Sequence, residues 1–102
     1  MAYLNGLTID ADMSVLKLAD GKAFMDALYA HAEKFLLAAP YGSSLRVEVQ
    51  RIGAGYKVIV RLASLALQLL ENAEAKSPFV ALEKCLLKAH DTVQVWSMNK
   101  TV

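Results

Sequence analysis

Residues 45–62 of this 102-residue chain read Leu45-Arg46-Val47-Glu48-Val49-Gln50-Arg51-Ile52-Gly53-Ala54-Gly55-Tyr56-Lys57-Val58-Ile59-Val60-Arg61-Leu62. Aliphatic residues alternate with mostly polar ones on both sides of the glycine-rich centre, which is the period-two pattern of strands that are buried on one face. Gly53 can take the positive φ that the first central position of a two-residue II′ turn requires. The stretch therefore predicts a β-hairpin in which Ile52 pairs with Gly55.

The turn also fixes the register of the hairpin. Counting back from it pairs Val49 with Val58, Val47 with Val60 and Leu45 with Leu62, so one face is aliphatic throughout. A slip of one residue would turn that face to solvent, so the register is strongly specified. On the other face Arg46 lies opposite Arg61, and Glu48, diagonal to Arg61, is expected to offset their repulsion.

Length and composition indicate one domain over residues 1–102 with a single core. Hydrophobic residues make up 56% of the chain and the mean hydropathy is +0.33, which is high for so small a protein and favours burial against a second subunit, as in a homodimer. A formal net charge of +1 gives no overall attraction to nucleic acid, so any such binding needs a local patch. The sequence has neither an apolar run long enough to span a membrane nor a secretory signal. The single cysteine, Cys85, fits a reducing cytoplasm.

The remaining segments predict two helices and an N-terminal strand. Leu4 to Ile9 and Met13 to Leu18 are each long enough for one strand. The break at Asp10-Ala11-Asp12 between them indicates that only one strand, or two short ones, joins the sheet, and the pattern leaves open which. Asp20 is a suitable N-cap for an amphipathic helix from about Gly21 to Ala38.

Ser77 and Pro78 open the second helix, as N-cap and first helical residue, and this helix is predicted to run to about Val93. Residues 97–102 are expected to fray, and an exposed Trp96 beside them would suit a contact with a partner.

Residues 62–76 fit two structures from their pattern alone. As a strand, Leu65, Leu67 and Leu69 continue the aliphatic face of the hairpin. As a helix, the segment has a good 3.6-residue period and strong helix formers, which gives the order β-α-β-β-α-α and is favoured by propensity.

The residues give no indication of an enzyme. Cys85 is expected to be a small buried hydrophobe, since no His stands at a neighbouring helical step before His90. His31 and His90 lack other ligands at metal-binding spacing, so we predict no metal site. No cofactor and no small-molecule substrate is indicated.

Four segments of the chain resemble the ribosome hibernation promoting factor family, also called ribosome-associated inhibitors or sigma-54 modulation proteins. They are the helix end Ala32-Glu33-Lys34-Phe35, the strand Val47-Glu48-Val49, the strand start Gly55-Tyr56-Lys57-Val58, and the helix start Ser77-Pro78-Phe79-Val80-Ala81-Leu82. The spacing from Tyr56 to Phe79 is also similar to that of the family, and the resemblance covers roughly residues 20 to 93.

The resemblance implies an α+β fold in the order β-α-β-β-β-α, with two helices packed on one face of a four-stranded sheet. It therefore favours a strand over residues 65–71. It also implies a non-enzymatic, cytoplasmic factor that binds rRNA of the small ribosomal subunit and inhibits translation under stress. By position, the rRNA phosphates would be contacted by basic residues on both helices, with two arginines of the hairpin added: Lys22, Lys34, Lys84, Lys88, Arg46 and Arg61.

The alternative is a homo-oligomeric protein-interaction module that has the same fold and does not bind RNA. Its interface would use the apolar side chains of Ile59, Leu70 and Trp96. A dimer that is insensitive to salt would indicate this alternative, whereas binding that weakens steeply with salt would indicate rRNA.

Overall fold

The computed structural model describes residues 2–4 and 6–100, without the side chains of residues 2–4, 99 and 100. Five strands form one sheet in sequence order, and two helices complete the chain. The strands are β1 (Ala2–Leu4), β2 (Leu7–Asp12), β3 (Ser44–Ile52), β4 (Gly55–Ala63) and β5 (Gln68–Ala75), and the helices are α1 (Leu18–Phe35) and α2 (Pro78–Lys100). Only β2 and β3 are parallel, because α1 connects them; the other neighbours are antiparallel.

The predicted fold is confirmed. Strands β2 to β5 with the two helices give the order β-α-β-β-β-α, and the short strand β1 extends the sheet by one strand beyond β2. Alternate residues of the strands point toward the helices and are buried, so the core lies between the sheet and the helix layer. The opposite face of the sheet, called the open face below, is not covered by either helix.

The central hairpin has the register that the sequence predicts. Ile52 pairs with Gly55, Val49 with Val58, Val47 with Val60 and Leu45 with Leu62, and Arg46 lies opposite Arg61. Gly53 has φ 49°, a value that side-chain-bearing residues rarely adopt. The turn chemistry and the alternating pattern therefore specify this element completely.

Residues 62–76 contain the end of β4, a short loop and strand β5, so the helical alternative is wrong. The strand begins at Gln68, later than expected, because Ser64 closes a short loop in which its Oγ accepts hydrogen bonds from the N–H groups of Ala66 and Leu67 at 3.2 and 2.9 Å. Leu65 consequently lies in the loop with its side chain fully exposed, and Leu69 pairs with Leu62.

The N-terminal boundaries also differ from the expectation. The segment from Leu4 to Ile9 is divided between β1 and β2, and Asp10 to Asp12 continue β2 instead of interrupting it. Helix α1 begins at Leu18 with Lys17 at the N-cap and no side-chain cap, so Asp20 lies in the first turn and is not the N-cap. A carboxylate in the first turn still interacts favourably with the helix dipole.

Helix α2 starts as predicted and extends further than predicted. The Oγ of Ser77 accepts a hydrogen bond from the N–H of Phe79 at 3.2 Å, and Pro78 is the first helical residue. The helix continues past Val93 to Lys100, and Trp96 is half-buried within it, not exposed. Residues 101 and 102 lie outside the described residues, and fraying of residues 97–102 stays a prediction.

The two helices run parallel, side by side. The rings of Phe24 and Phe79 are 6.0 Å apart near the start of both helices, and those of Phe35 and His90 are 5.6 Å apart further along. His90 also donates from Nδ1 to the carbonyl oxygen of Phe35 at 2.9 Å. Since Phe35 is the last residue of α1, this bond satisfies a carbonyl that the helix itself leaves free.

Candidate nucleic-acid interface

The six basic residues predicted to contact rRNA lie on two different sides of the molecule. Arg46 and Arg61 project from adjacent strands onto the open face of the sheet. The four lysines are exposed on the helix layer, on the other side of the sheet: Lys22 and Lys34 on α1, Lys84 and Lys88 on α2. A flat partner surface can therefore reach only one of the two groups at a time.

On the open face, Arg46 is neutralised by a residue from the neighbouring strand. Its Nη1 donates to Oδ2 of Asp10 at 2.7 Å, across the parallel pairing of β2 with β3. Both side chains are more than half exposed, so the pair is worth at most about 1 kcal/mol. The sequence did not identify Asp10 as a partner of Arg46, because the pattern indicated an interruption between two strands at this point.

Arg61 is the less constrained arginine of the pair. The carboxylate of Glu48 accepts a hydrogen bond from Nε2 of Gln50 at 2.9 Å, so its expected role as the partner of Arg61 is not observed. Within the described part of the chain, Arg61 forms no ion pair. Arg46, Glu48, Ile59 and Arg61 surround a small depression of about 160 Å³. An anionic group of a partner could enter this depression and contact Arg61.

The four lysines of the helix layer differ in whether their ammonium groups contact another group of the protein. Nζ of Lys88 donates to the backbone carbonyl of Asn72 on β5 at 2.8 Å, and Nζ of Lys34 lies 5.2 Å from the centre of the Phe35 ring. Among the described residues, neither Lys22 nor Lys84 has such a partner. These two ammonium groups are therefore the ones that are free to neutralise a phosphate.

Acidic residues are interspersed with these lysines. Helix α1 carries three acidic residues and two lysines, and α2 carries two acidic residues and three lysines. One of the acids, Glu83, lies between the helices, with Oε2 3.8 Å from Nε2 of His31. The helix layer therefore attracts anions only locally, around individual lysines, and not through a continuous basic field.

A shallow apolar groove lies beside the start of α1 and was not anticipated from the sequence. It measures about 340 Å³ and lies between the loop after β2 and the first turns of the helix. Met13, Leu16, Leu18 and Met25 contribute its apolar walls, with Lys17, Gly21 and Lys22 also lining it. The groove places an apolar surface next to the free ammonium of Lys22.

The three residues predicted to form an interface do not lie together. Ile59 and Leu70 are both on the open face, where Leu70 is 55% exposed and Ile59 is half-buried. Trp96 belongs to α2, on the other side of the sheet. Only Ile59 and Leu70 can therefore contribute to one contact surface.

Among the residues that the structure describes, the pKa values of two titrating groups are shifted by their surroundings. Burial raises the pKa of the Cys85 thiol to about 11, so the thiol stays protonated near neutral pH and is a poor nucleophile. The N–H of Ser14 donates to the Asp12 carboxylate at 3.2 Å and lowers the pKa of that carboxyl.

Metal-binding clusters and membrane-spanning helices are both absent from the described residues. Within residues 2–4 and 6–100, no three His, Cys, Asp or Glu side chains are grouped so that they could hold a metal ion. Neither helix in this part of the chain is long and apolar enough to cross a membrane.

Comparison with solved structures gives close matches over nearly the whole chain. The N-terminal domain of Protein Y from Thermus thermophilus superposes with a TM-score of 0.69 at 11% identity, covering 88% of this chain and 94% of that domain. Protein Y and the second matching protein, given below, belong to the hibernation-factor family. The chain has the hibernation-factor fold. A ribosomal subunit interface protein from Coxiella burnetii superposes with a TM-score of 0.64 at 8% identity, covering 90% of this chain and 97% of that one.

These matches confirm the resemblance seen in the sequence at the level of the fold. No protein-family model matches the sequence, and comparison with curated protein sequences gives no significant match. At 8 to 11% identity, the likeness shows a shared fold and does not show that any surface side chains are shared. The function must therefore be argued from this chain's own surface.

Proposed function

We propose that this protein is a non-enzymatic, cytoplasmic, ribosome-associated factor that binds rRNA of the small subunit and inhibits translation under stress. The observation that carries the proposal is the fold: nearly the whole chain superposes on the N-terminal domain of Protein Y and on a protein described as a ribosomal subunit interface protein. Coverage above 90% of both proteins supports a comparison of whole domains.

The distribution of free cations favours the helix layer as the rRNA-binding surface. Lys22 and Lys84 are exposed and unengaged within the described residues, and Lys34 remains exposed although it lies near the Phe35 ring. Lys88 must share its ammonium with the carbonyl of Asn72, and Arg46 is already paired with Asp10. Lys22, Lys34 and Lys84 are therefore proposed as the principal phosphate contacts, with Lys88 as an additional one. Arg46 and Arg61 would contact rRNA only where a segment of it also reached the open face.

The mode of recognition follows from the types of side chain present. Lysines on a helix surface neutralise phosphates as point charges and do not read bases. Each phosphate contact releases a condensed counterion, so binding weakens steeply as salt is added. With few contacts and interspersed acidic residues, the affinity is expected to be modest and strongly dependent on ionic strength.

The decisive experiment is co-sedimentation of the purified protein with ribosomes and with isolated small subunits at low and at high salt. The proposal expects pelleting with the small subunit at low salt and release at high salt. A protein that stays in the supernatant at both salt concentrations would contradict ribosome association. Pelleting that does not change with salt would contradict binding through phosphates.

A second candidate function is a protein-interaction module that assembles with itself. It is favoured by Leu70, which is 55% exposed on the open face close to the half-buried Ile59. Self-association that persists in high salt, together with no pelleting at any salt concentration, would identify this function.

A further inference from the structure

Strand β5 is an edge of the sheet, and half of its backbone hydrogen-bonding groups point away from β4. Ile52 and Gly55 close the two-residue turn as a hydrogen-bonded pair. Because hydrogen-bonded pairs alternate along antiparallel strands, the backbone groups of odd-numbered residues of β4 bond to β3 and those of even-numbered residues bond to β5. The register of β5 on β4 then uses its odd-numbered residues, from Leu69 to Ala75. Four residues are left with outward-facing N–H and C=O groups and with side chains on the open face: Gln68, Leu70, Asn72 and Glu74.

The bond from Lys88 confirms this assignment independently. Its ammonium reaches the carbonyl oxygen of Asn72 from outside the sheet, which is possible only if that carbonyl points away from β4. A lysine at a strand edge is a common protection against uncontrolled strand pairing. Here it engages one carbonyl, which keeps a second lone pair, and the outward groups of Leu70 have no other protein partner in the described chain.

The side chains along this edge form a self-complementary series. Gln68 and Asn72 are exposed amides placed symmetrically about Leu70, which is 55% exposed, and none of the three carries a charge. The series amide, leucine, amide is the same in both directions. A second antiparallel copy therefore presents a matching surface, as an isologous twofold contact requires.

We propose that two copies of the chain associate through antiparallel pairing of their β5 strands, with Leu70 opposite Leu70 of the second copy. This register sets Gln68 of each copy opposite Asn72 of the other, so the amides can bond to each other. Three hydrogen-bonded residue pairs give about six new backbone hydrogen bonds. The five strands of each copy form one continuous sheet with all helices on the same side.

Neighbouring registers are less favourable. The centre of the contact is the residue that lies opposite its own copy, which is Leu70 in the proposed register. If the centre is residue 71, Glu71 lies directly opposite Glu71 of the second copy, and the two like charges repel. Shifting it to residue 72 places Leu70 opposite the charged Glu74. Because Leu70 is the only large apolar side chain among the outward-facing positions, the leucine-centred register is the one that buries apolar area.

The contact is expected to be weak and concentration-dependent, because a single strand edge buries less surface than a standard protein interface. It uses the backbone mainly, so it persists in salt concentrations that weaken binding through phosphates. The dimer does not depend on ribosome association, and each property can be present without the other.

Cysteine cross-linking tests the register directly. Hydrogen-bonded antiparallel partners have Cα atoms about 5.5 Å apart, within the range that a disulfide can bridge. Under mild oxidation, Leu70→Cys is expected to give a covalent dimer. Leu65→Cys, which places a thiol at a fully exposed loop position, is the matched control and should give little dimer. The buried Cys85 of the unchanged chain should give none.

The mass in solution tests the contact without cross-linking. By analytical ultracentrifugation, the wild-type mass should rise from 11.1 kDa toward twice that value with increasing concentration, in low and in high salt. Leu70→Lys places two ammonium groups opposite each other and should hold the protein at the monomer mass. Leu37→Lys makes the same change at a residue that is 64% exposed beyond α1 and should dimerise as the wild type does.

The proposal is overturned if the wild type stays monomeric at every concentration. It is also overturned if Leu70→Lys and the wild type dimerise equally, or if Leu70→Cys cross-links no faster than Leu65→Cys. Circular dichroism of each variant establishes that a loss of dimer is not a loss of fold.

Discussion

Gly55 begins β4 at a point where the neighbouring strand leaves no room for a side chain. A Cβ atom at this position would lie 2.7 Å from the carbonyl oxygen of Ala75, a backbone atom that cannot move without shifting β5. Gly55→Ala is therefore expected to lower the free energy of unfolding by about 1–3 kcal/mol. Urea denaturation followed by circular dichroism measures this change.

Gly21 provides the control for that prediction. It lies inside α1, and no atom is within 4 Å of the position where its Cβ would be. Gly21→Ala should stabilise the protein by about 0.5–1 kcal/mol, because alanine loses less backbone entropy on forming a helix. Equal destabilisation by both substitutions would contradict the steric explanation for Gly55.

Cys85 makes the stability of the protein depend on pH in the alkaline range. Burial raises the pKa of its thiol from an ordinary value of about 9 to about 11 in the folded protein. Between these values the unfolded chain loses the thiol proton while the folded chain keeps it, so the unfolded state binds fewer protons and stability falls as pH rises. Well below pH 9 the thiol is protonated in both states and contributes no pH dependence.

Denaturation at a series of pH values from 8 to 11 should show this effect, at most about 1.4 kcal/mol per pH unit from the one thiol. Other groups also contribute to the loss of stability in alkaline solution, so Cys85→Ala is the necessary comparison. That variant is less stable at every pH because a small cavity replaces the sulfur. Its curve should fall less steeply above pH 9, and parallel curves would contradict the role of the thiol.

At the scale of elements, the start of α2 depends on the side chain of Ser77. Its Oγ satisfies the N–H of Phe79, one of the donors that a helix leaves free in its first turn. Ser77→Ala is expected to cost about 1 kcal/mol of stability, measured by thermal or urea denaturation. Ser97→Ala, within the last turns of the same helix, should change stability little or raise it, since alanine is the better helix former.

Element boundaries that carry a specific signal in addition to a pattern were predicted correctly. The hairpin has alternation and a glycine turn, and α2 has Ser77 and Pro78 at its start. Helix α1 lacks such a signal, because Lys17 caps it without a side-chain bond, and the sequence therefore favours Asp20, which lies in the first turn.

Strand β5 illustrates a different limit of sequence reasoning. Its residues favour a helix by propensity, but β4 offers a free edge and α2 covers one face of the segment. Tertiary pairing therefore overrides the local preference. The family resemblance identified the strand, while its true start at Gln68 depends on the loop bonds of Ser64, which no pattern shows.

At the scale of the whole molecule, the sequence could identify basic residues but not which of them share a surface. The period of two places Arg46 and Arg61 on one face, and helical spacing places Lys84 near Lys88. Whether the arginines and the lysines lie on the same surface depends on which side of the sheet the helices cover. The engagement of Arg46 by Asp10 and of Lys88 by Asn72 could not be foreseen, since each bond joins distant parts of the chain.

Because the two basic groups lie on opposite sides of the sheet, charge reversal on each side can show which one binds the ribosome. The double variant Lys22→Glu with Lys84→Glu alters the helix layer at two exposed, unengaged lysines. If each lysine neutralises one phosphate, the slope of log affinity against log salt should fall by about 1 for each lost contact, and pelleting at low salt should be largely lost.

Arg61→Glu makes the corresponding change on the open face, and Lys57→Glu reverses a second charge there, outside the proposed contacts. Both are expected to pellet nearly as the wild type does, because the helix layer remains intact. If Arg61→Glu abolishes pelleting and the double lysine variant does not, the rRNA-binding surface is the open face. Ribosome association would then stand, with its site on the open face instead of the helix layer.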